Sequence, residues 1–173
     1  MIQNILTIPD KRLRMRSDEI VHFDKNVIQI VKDLTDTLVA QIDPPGLGLS
    51  APQIGIFKRI FVAKIRNKIR HFVNPNIIKF SQKEATYLEG CFSVPELYGH
   101  VTRPAEINLE AQDKLGKLLK SHFKGLPARI IQHEVDHLNG ALFIDHVHDQ
   151  NGKLFKVEKD KKGKEELVEI AFA

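Results

Sequence analysis

The chain has 173 residues, 42% hydrophobic and 28% charged, a size and balance that suit one soluble domain, read here as residues 1–173. No run approaches the roughly 18–20 apolar residues of a membrane span, and the first residues, MIQNILTIPDKRLRMRS, lack the apolar centre of a secretory signal. A single cysteine, Cys91, excludes an intramolecular disulfide framework, and the net charge of +4 is spread among interleaved acids, so neither a membrane nor a specific nucleic-acid site is expected. The expected location is the bacterial cytoplasm, since Asp10, Asp18 and Glu19 also interrupt the acid-poor character of a transit peptide.

In chain order, the first element is a helix from about Lys25 to Gln41, where Val27, Val31, Leu34 and Leu38 recur at helical spacing behind Asp24 as N-cap. Pro44 and Pro45 end it. A glycine-rich segment, GLGLSAPQIG, follows. RIFVAKIRNKIRHFVNP then reads as two strands around a tight turn at Asn67, with its basic residues facing water. Tyr87 to Val94 reads as extended, and EINLEAQDKLGKLLKSHFKG as a hairpin turning at Asp113 to Gly116. A second helix starts at Gly125 and Pro127 and stops at Gly140. LFKVEKDKKGKEELVEI is a last hairpin with its turn at Asp160 to Gly163. The class is α+β: mostly antiparallel sheets packed around the second helix, with an N-terminal helix and a C-terminal hairpin, two helices in all.

The sharpest chemical signal is HEVDH, His133 to His137, on the second helix. At 3.6 residues per turn, residues four apart share a face, so both imidazoles can bind one cation. Glu134, one residue from the first histidine, can reach a water beside that cation without ligating it. Catalytic metals usually take three protein ligands and keep one position open. A metzincin continuation would need histidine where Phe143 stands. Glu158 lies at a loosely suitable distance for a thermolysin-like third ligand. Cys91, in EGCFSVP, is the better candidate, completing a Cys-His-His set. Two further readings stay open: a zinc peptidase acting on internal bonds, and a structural metal with a distant fourth ligand.

Three segments together resemble one family. GLGLSAPQIG is similar to the peptide deformylase pattern GxGLAAxQ, EGCFSVP to EGCLS, and QHEVDHLNG to QHExDHLxG, in the same order, and the opening IPDKRLRMRS also resembles that family's start. The resemblance covers roughly the first 145 residues. It implies hydrolysis of the N-terminal formyl group from N-formylmethionyl nascent peptides. Cys91, His133 and His137 would then be the ligands of Fe(II), replaceable by Zn(II), Ni(II) or Co(II), with Glu134 as proton carrier. Gln53 and the backbone amide of Phe92 would form the oxyanion hole. Gly48 and Gly90 would let an extended peptide approach like an added strand, and Leu47, Leu126 and Ile130 would line a methionine pocket. Ser50 stands where that pattern has alanine, Phe92 where it has leucine, and Pro45 where many members have glutamate. Well-known members end in a helix that docks on the ribosome; a hairpin in its place leaves a transient ribosome contact of some other kind.

Overall fold

The computed structural model describes residues 1–172. Its α-helices are α1 (Lys25–Ala40), α2 (Leu126–Leu138) and α3 (Phe143–Asp149). The strands are β1 (Gly48–Ser50), β2 (Ile60–Ile65), β3 (Lys68–Phe80), β4 (Glu84–Cys91), β5 (Val94–Pro104), β6 (Glu106–Gln112), β7 (Leu118–Lys124), β8 (Leu154–Lys159) and β9 (Glu165–Ile170). They form a five-stranded sheet, β1-β2-β3-β6-β7, and a four-stranded sheet, β4-β5-β8-β9. Every strand pairing in both sheets is antiparallel. The α+β class expected from the sequence is the one observed.

Local chemistry explains the element ends. The Asp24 carboxylate accepts from the amides of Asn26 and Val27, satisfying donors that the first turn of α1 leaves free. Arg66 and Asn67 between β2 and β3 have φ of 49° and 61°, as a two-residue hairpin turn with right-handed strand twist requires. In the β6–β7 turn the Asp113 carboxylate accepts from the amides of Leu115 and Lys117, and in the β8–β9 turn Asp160 does the same for Lys162 and Lys164.

Strand β2 organises the larger sheet because it is buried on both faces. Its residues alternate between two cores, as the two-residue side-chain period of a strand dictates. Ile60 and Val62 pack with Val27, Ile30, Val31, Leu34 and Leu38 of α1, whereas Phe61, Ala63 and Ile65 pack with Ala128, Ile131 and Leu138 of α2. The five-stranded sheet therefore lies between the two long helices. The other side of α2 is polar and meets the second sheet: Arg129 donates to the carbonyls of Val101 and Ala85, and Gln132 to that of Pro104. A third core joins Val94, Val101 and Leu154 of the smaller sheet to Leu142, Phe143 and Val147.

Two parts of the sequence reading need correction. Among the described residues there are three α-helices rather than two, because Phe143–Asp149 forms α3, whose seven residues are too few to set up a helical period. The extended segment expected at Tyr87–Val94 is the end of one strand and the start of another. Its partner β5 runs on to Pro104, with Pro95, Gly99 and Pro104 masking the strand pattern.

Ile131, fully buried on the side of α2 that faces the large sheet, tests how that helix is held. Ile131→Ala is expected to lower stability by about 2–5 kcal/mol through lost burial and a residual cavity, read from urea unfolding curves.

Candidate metal centre

His133 and His137 lie one turn apart on α2, their ring centroids separated by 5.0 Å. The end of β4 brings Cys91 to them, past a register shift between Gly90 and Cys91 that re-aims the last residue of the strand. The Sγ of Cys91 lies 3.2 Å from Nε2 of His137, and the donor atoms of Cys91, His133 and His137 all fall within 4.8 Å of one another. One thiolate and two imidazoles form a soft-to-borderline set suited to a divalent transition ion. Glu158 is not part of the cluster. It sits exposed on β8, opposite Glu166 in the strand register.

Charges around the cluster favour the thiolate form of Cys91. Burial alone would push the Cys91 thiol up, but His137 and His133 outweigh it and hold the thiol well below its ordinary range. His133 donates from Nδ1 to Oε2 of Glu89 at 2.9 Å, which leaves Nε2 to face the cluster. Glu89 is buried, and its carboxylate receives two bonds from Arg103, at 2.7 and 3.0 Å, and one from Arg129. Burial would raise the Glu89 carboxyl; His133 and Arg103 more than offset it and hold the group far below the usual carboxylate range. Arg103 extends the network to Asp136 at 2.8 Å, and Asp136 receives Nε2 of His146, on α3, at 2.9 Å.

Beside the cluster, the 3-10 turn Ala51–Ile54 carries Gln53. The Ser50 amide donates to Oε1 of Gln53 at 2.9 Å, which fixes the amide orientation and turns Nε2 toward Ser93 Oγ, 3.1 Å, and Cys91 Sγ, 3.5 Å. Glu134 is buried on α2, and that burial raises its carboxyl pKa despite the opposing pull of His133 and His137. Its Oε2 accepts from the Ser50 hydroxyl at 2.6 Å. Its Oε1 lies over Gly48, filling the space that a Cβ there would need. Gly48 is thus a glycine because the carboxylate occupies the place of its side chain.

These groups open onto a cleft of about 540 Å³. Of the residues that the family resemblance gives a role, all except His137 line it: Leu47, Gly48, Gln53, Gly90, Cys91, Phe92, Leu126, Ile130, His133 and Glu134. Leu47 and Leu126 are exposed at its mouth, whereas Ile130 is buried. Several contributors were not foreseen. Glu89, Arg103 and Arg129 show themselves only through long-range pairing. Of these, Glu89 alone had a signal, standing two residues before Cys91 in the same motif. Val157 and Glu165, from the hairpin of β8 and β9, also line the cleft.

Residues 2–153 match the profile of the polypeptide deformylase family. The chain belongs to the polypeptide deformylase family. A peptide deformylase of Agrobacterium fabrum is 38% identical over 151 residues, an alignment covering 84% of this chain and 87% of the relative. The crystal structure of the Thermotoga maritima peptide deformylase superposes with a TM-score of 0.79 at 33% identity, over 84% of this chain and 97% of that one. A class I type b peptide deformylase from Acinetobacter baumannii, solved with Met-Ala-Ser bound, gives 0.78 at 28% identity, over 84% and 98%. Strands β8 and β9 lie beyond the residues that match the deformylase profile.

Replacing Glu89 by glutamine would leave Arg103 and Arg129 buried beside a neutral group. Glu89→Gln is expected to cost about 3–5 kcal/mol in urea unfolding at neutral pH. Because the folded-state pKa of Glu89 is depressed, its contribution is fully present above the unfolded value of about 4.3 and is lost as pH falls through the folded one. The stability gap between the wild type and Glu89→Gln should therefore narrow as pH is lowered below about 4, and a gap constant down to the acid transition would contradict this account.

Proposed function

We propose that this deformylase-family chain, residues 1–173 acting as one catalytic domain, hydrolyses the N-terminal formyl group of N-formylmethionyl peptides in a metal-dependent reaction. The observation that carries the reading is the convergence of the Cys91, His133 and His137 donor atoms beside Glu134 and Gln53 in the cleft. The donor set fits a divalent ion, Fe(II) natively, with Zn(II), Ni(II) or Co(II) as substitutes. When bound, such an ion supplies Lewis acidity to the formyl oxygen and to the attacking water.

The protein groups divide the remaining work. Glu134 takes the water's proton on its cleft-facing oxygen and returns it to the leaving amine; burial raises its pKa above the ordinary carboxylate value, which makes it a stronger base. Gln53 Nε2 and the amide of Phe92 donate to the formyl oxygen as it gains negative charge. The fixed orientation of Gln53 means that this donor need not reorganise during the reaction. Leu47, Leu126 and Ile130 receive the methionine side chain. Gly48 and Gly90 flank the path of the peptide backbone, which pairs beside them like an added strand, while the space of their missing side chains is taken by Glu134 and by the Tyr98 ring. The Acinetobacter relative holding Met-Ala-Ser supports the substrate class, since that tripeptide is what remains when formyl-Met-Ala-Ser loses its formyl group.

Such substrates arise on ribosomes, so the place of action is the bacterial cytoplasm, with transient contact to the ribosome. No helix among the described residues is long and apolar enough to cross a membrane.

The test is anaerobic assay of Fe(II)-loaded protein on formyl-Met-Ala-Ser, with acetyl-Met-Ala-Ser as control. Formate should be released only from the first. Glu134→Gln should lower kcat by about 10²–10⁴-fold, and Gln53→Leu by about 10²–10³-fold. Cys91→Ser should abolish stoichiometric metal binding, measured by elemental analysis after gel filtration. An untouched formyl peptide, or activity indifferent to Glu134→Gln, would overturn the assignment.

A further inference from the structure

We propose that Ser50 is a positioning residue that fixes the plane of the Glu134 carboxylate, holding one oxygen inward and leaving the other to the substrate, an inference that rests on the catalytic role just proposed for Glu134. Ser50 ends β1 and is fully buried. Its hydroxyl lies 2.6 Å from Oε2 of Glu134 and 3.0 Å from the backbone oxygen of the same residue. A hydroxyl has one proton to give, and the shorter contact to a charged acceptor is the stronger bond.

The opposite oxygen is located by the same strand. Gly48 and Ser50, two positions apart on β1, point to the same face of the sheet. Oε1 lies against Gly48, at the cleft, while Oε2 is turned inward to Ser50. The terminal torsion of a glutamate is broad, so it does not by itself fix the plane of the carboxylate. The hydroxyl narrows that freedom by holding one oxygen, which leaves the other to face the water and the peptide.

Ser50 also holds the second catalytic side chain through its backbone, since its amide donates to Oε1 of Gln53. One buried residue thus orients both the proton carrier and the oxyanion donor, the first by its side chain and the second by its main chain. Alanine at this position would keep the amide bond and lack the hydroxyl. The grip on Glu134 can accordingly be removed without disturbing Gln53.

Ser50→Ala is the test, because it deletes one oxygen and preserves the main-chain bond. A hydrogen bond to a charged group has a net value of about 1.5–3 kcal/mol, so kcat on formyl-Met-Ala-Ser should fall roughly 10- to 100-fold. KM should stay within about twofold, since the lost interaction concerns the reacting step rather than substrate binding. Bound metal should remain stoichiometric. In a Glu134→Asp background, whose shorter carboxylate is drawn back from Ser50, the same Ser50→Ala change should cost less than about twofold. A kcat within twofold of the wild type would overturn the proposal, as would loss of metal or an equal loss of rate in both backgrounds. Failure here is separable from failure of the catalytic reading: the latter shows as a wild type inactive on the formyl peptide, the former as an active wild type indifferent to Ser50→Ala.

Discussion

The arrangement of this molecule depends on one buried carboxylate. Glu89 lies almost wholly out of water, where an unpaired anion would be untenable, and it is held by Arg103 of β5 and by Arg129 and His133 of α2. Its three partners come from two different elements, so the carboxylate is satisfied only when β4, β5 and α2 are all in place. That condition sets the height of α2 against the β4–β5 hairpin. Cys91 follows two residues later on β4, and its arrival beside His133 and His137 is then a consequence of the same register.

The two faces of α2 make this possible. Its apolar side, with Ala128, Ile131 and Leu138, is committed to the five-stranded sheet, which β2 in turn shares with α1. Its polar side carries Arg129, Gln132, His133 and Asp136 toward the smaller sheet. Apolar burial supplies the attachment, and the polar contacts supply the orientation. Hydrophobic packing tolerates small rotations, whereas a bidentate guanidinium and an imidazole bonded to the same carboxylate do not. The donor cluster therefore inherits its geometry from the polar side.

Much of this was legible in the residues because the signals are local. Asp24 as a cap, the positive-φ turn at Asn67 and the aspartate-led turns at Asp113 and Asp160 are each decided within a few residues. The HEVDH spacing likewise depends only on helical pitch. Cys91 and Gln53 came from short motifs, and the structure brings both beside the histidines. What escaped was non-local or too short. Nothing near Arg103 or Arg129 in sequence states that each will meet Glu89. Strand β5 carries prolines at both ends, and α3 has barely two turns. The consequence of serine at position 50 needed the coordinates, because its partner lies 84 positions away.

The cleft joins two parts of the chain, one inside and one outside the residues that match the deformylase profile. Its inner part, where the donor cluster, Gln53 and Glu134 meet, is built from residues within the deformylase-matching portion, and each side chain there has a partner that fixes it. Val157 and Glu165 come from a hairpin outside that portion, joined to the smaller sheet through pairing of Leu97 with Lys156, Tyr98 with Phe155 and Gly99 with Leu154. The shape of the cleft therefore depends on the pairing of β5 with β8 as well as on the seating of α2, because the hairpin supplies Val157 and Glu165 to a wall whose other residues come from the segment around β1, from the β4–β5 hairpin and from α2.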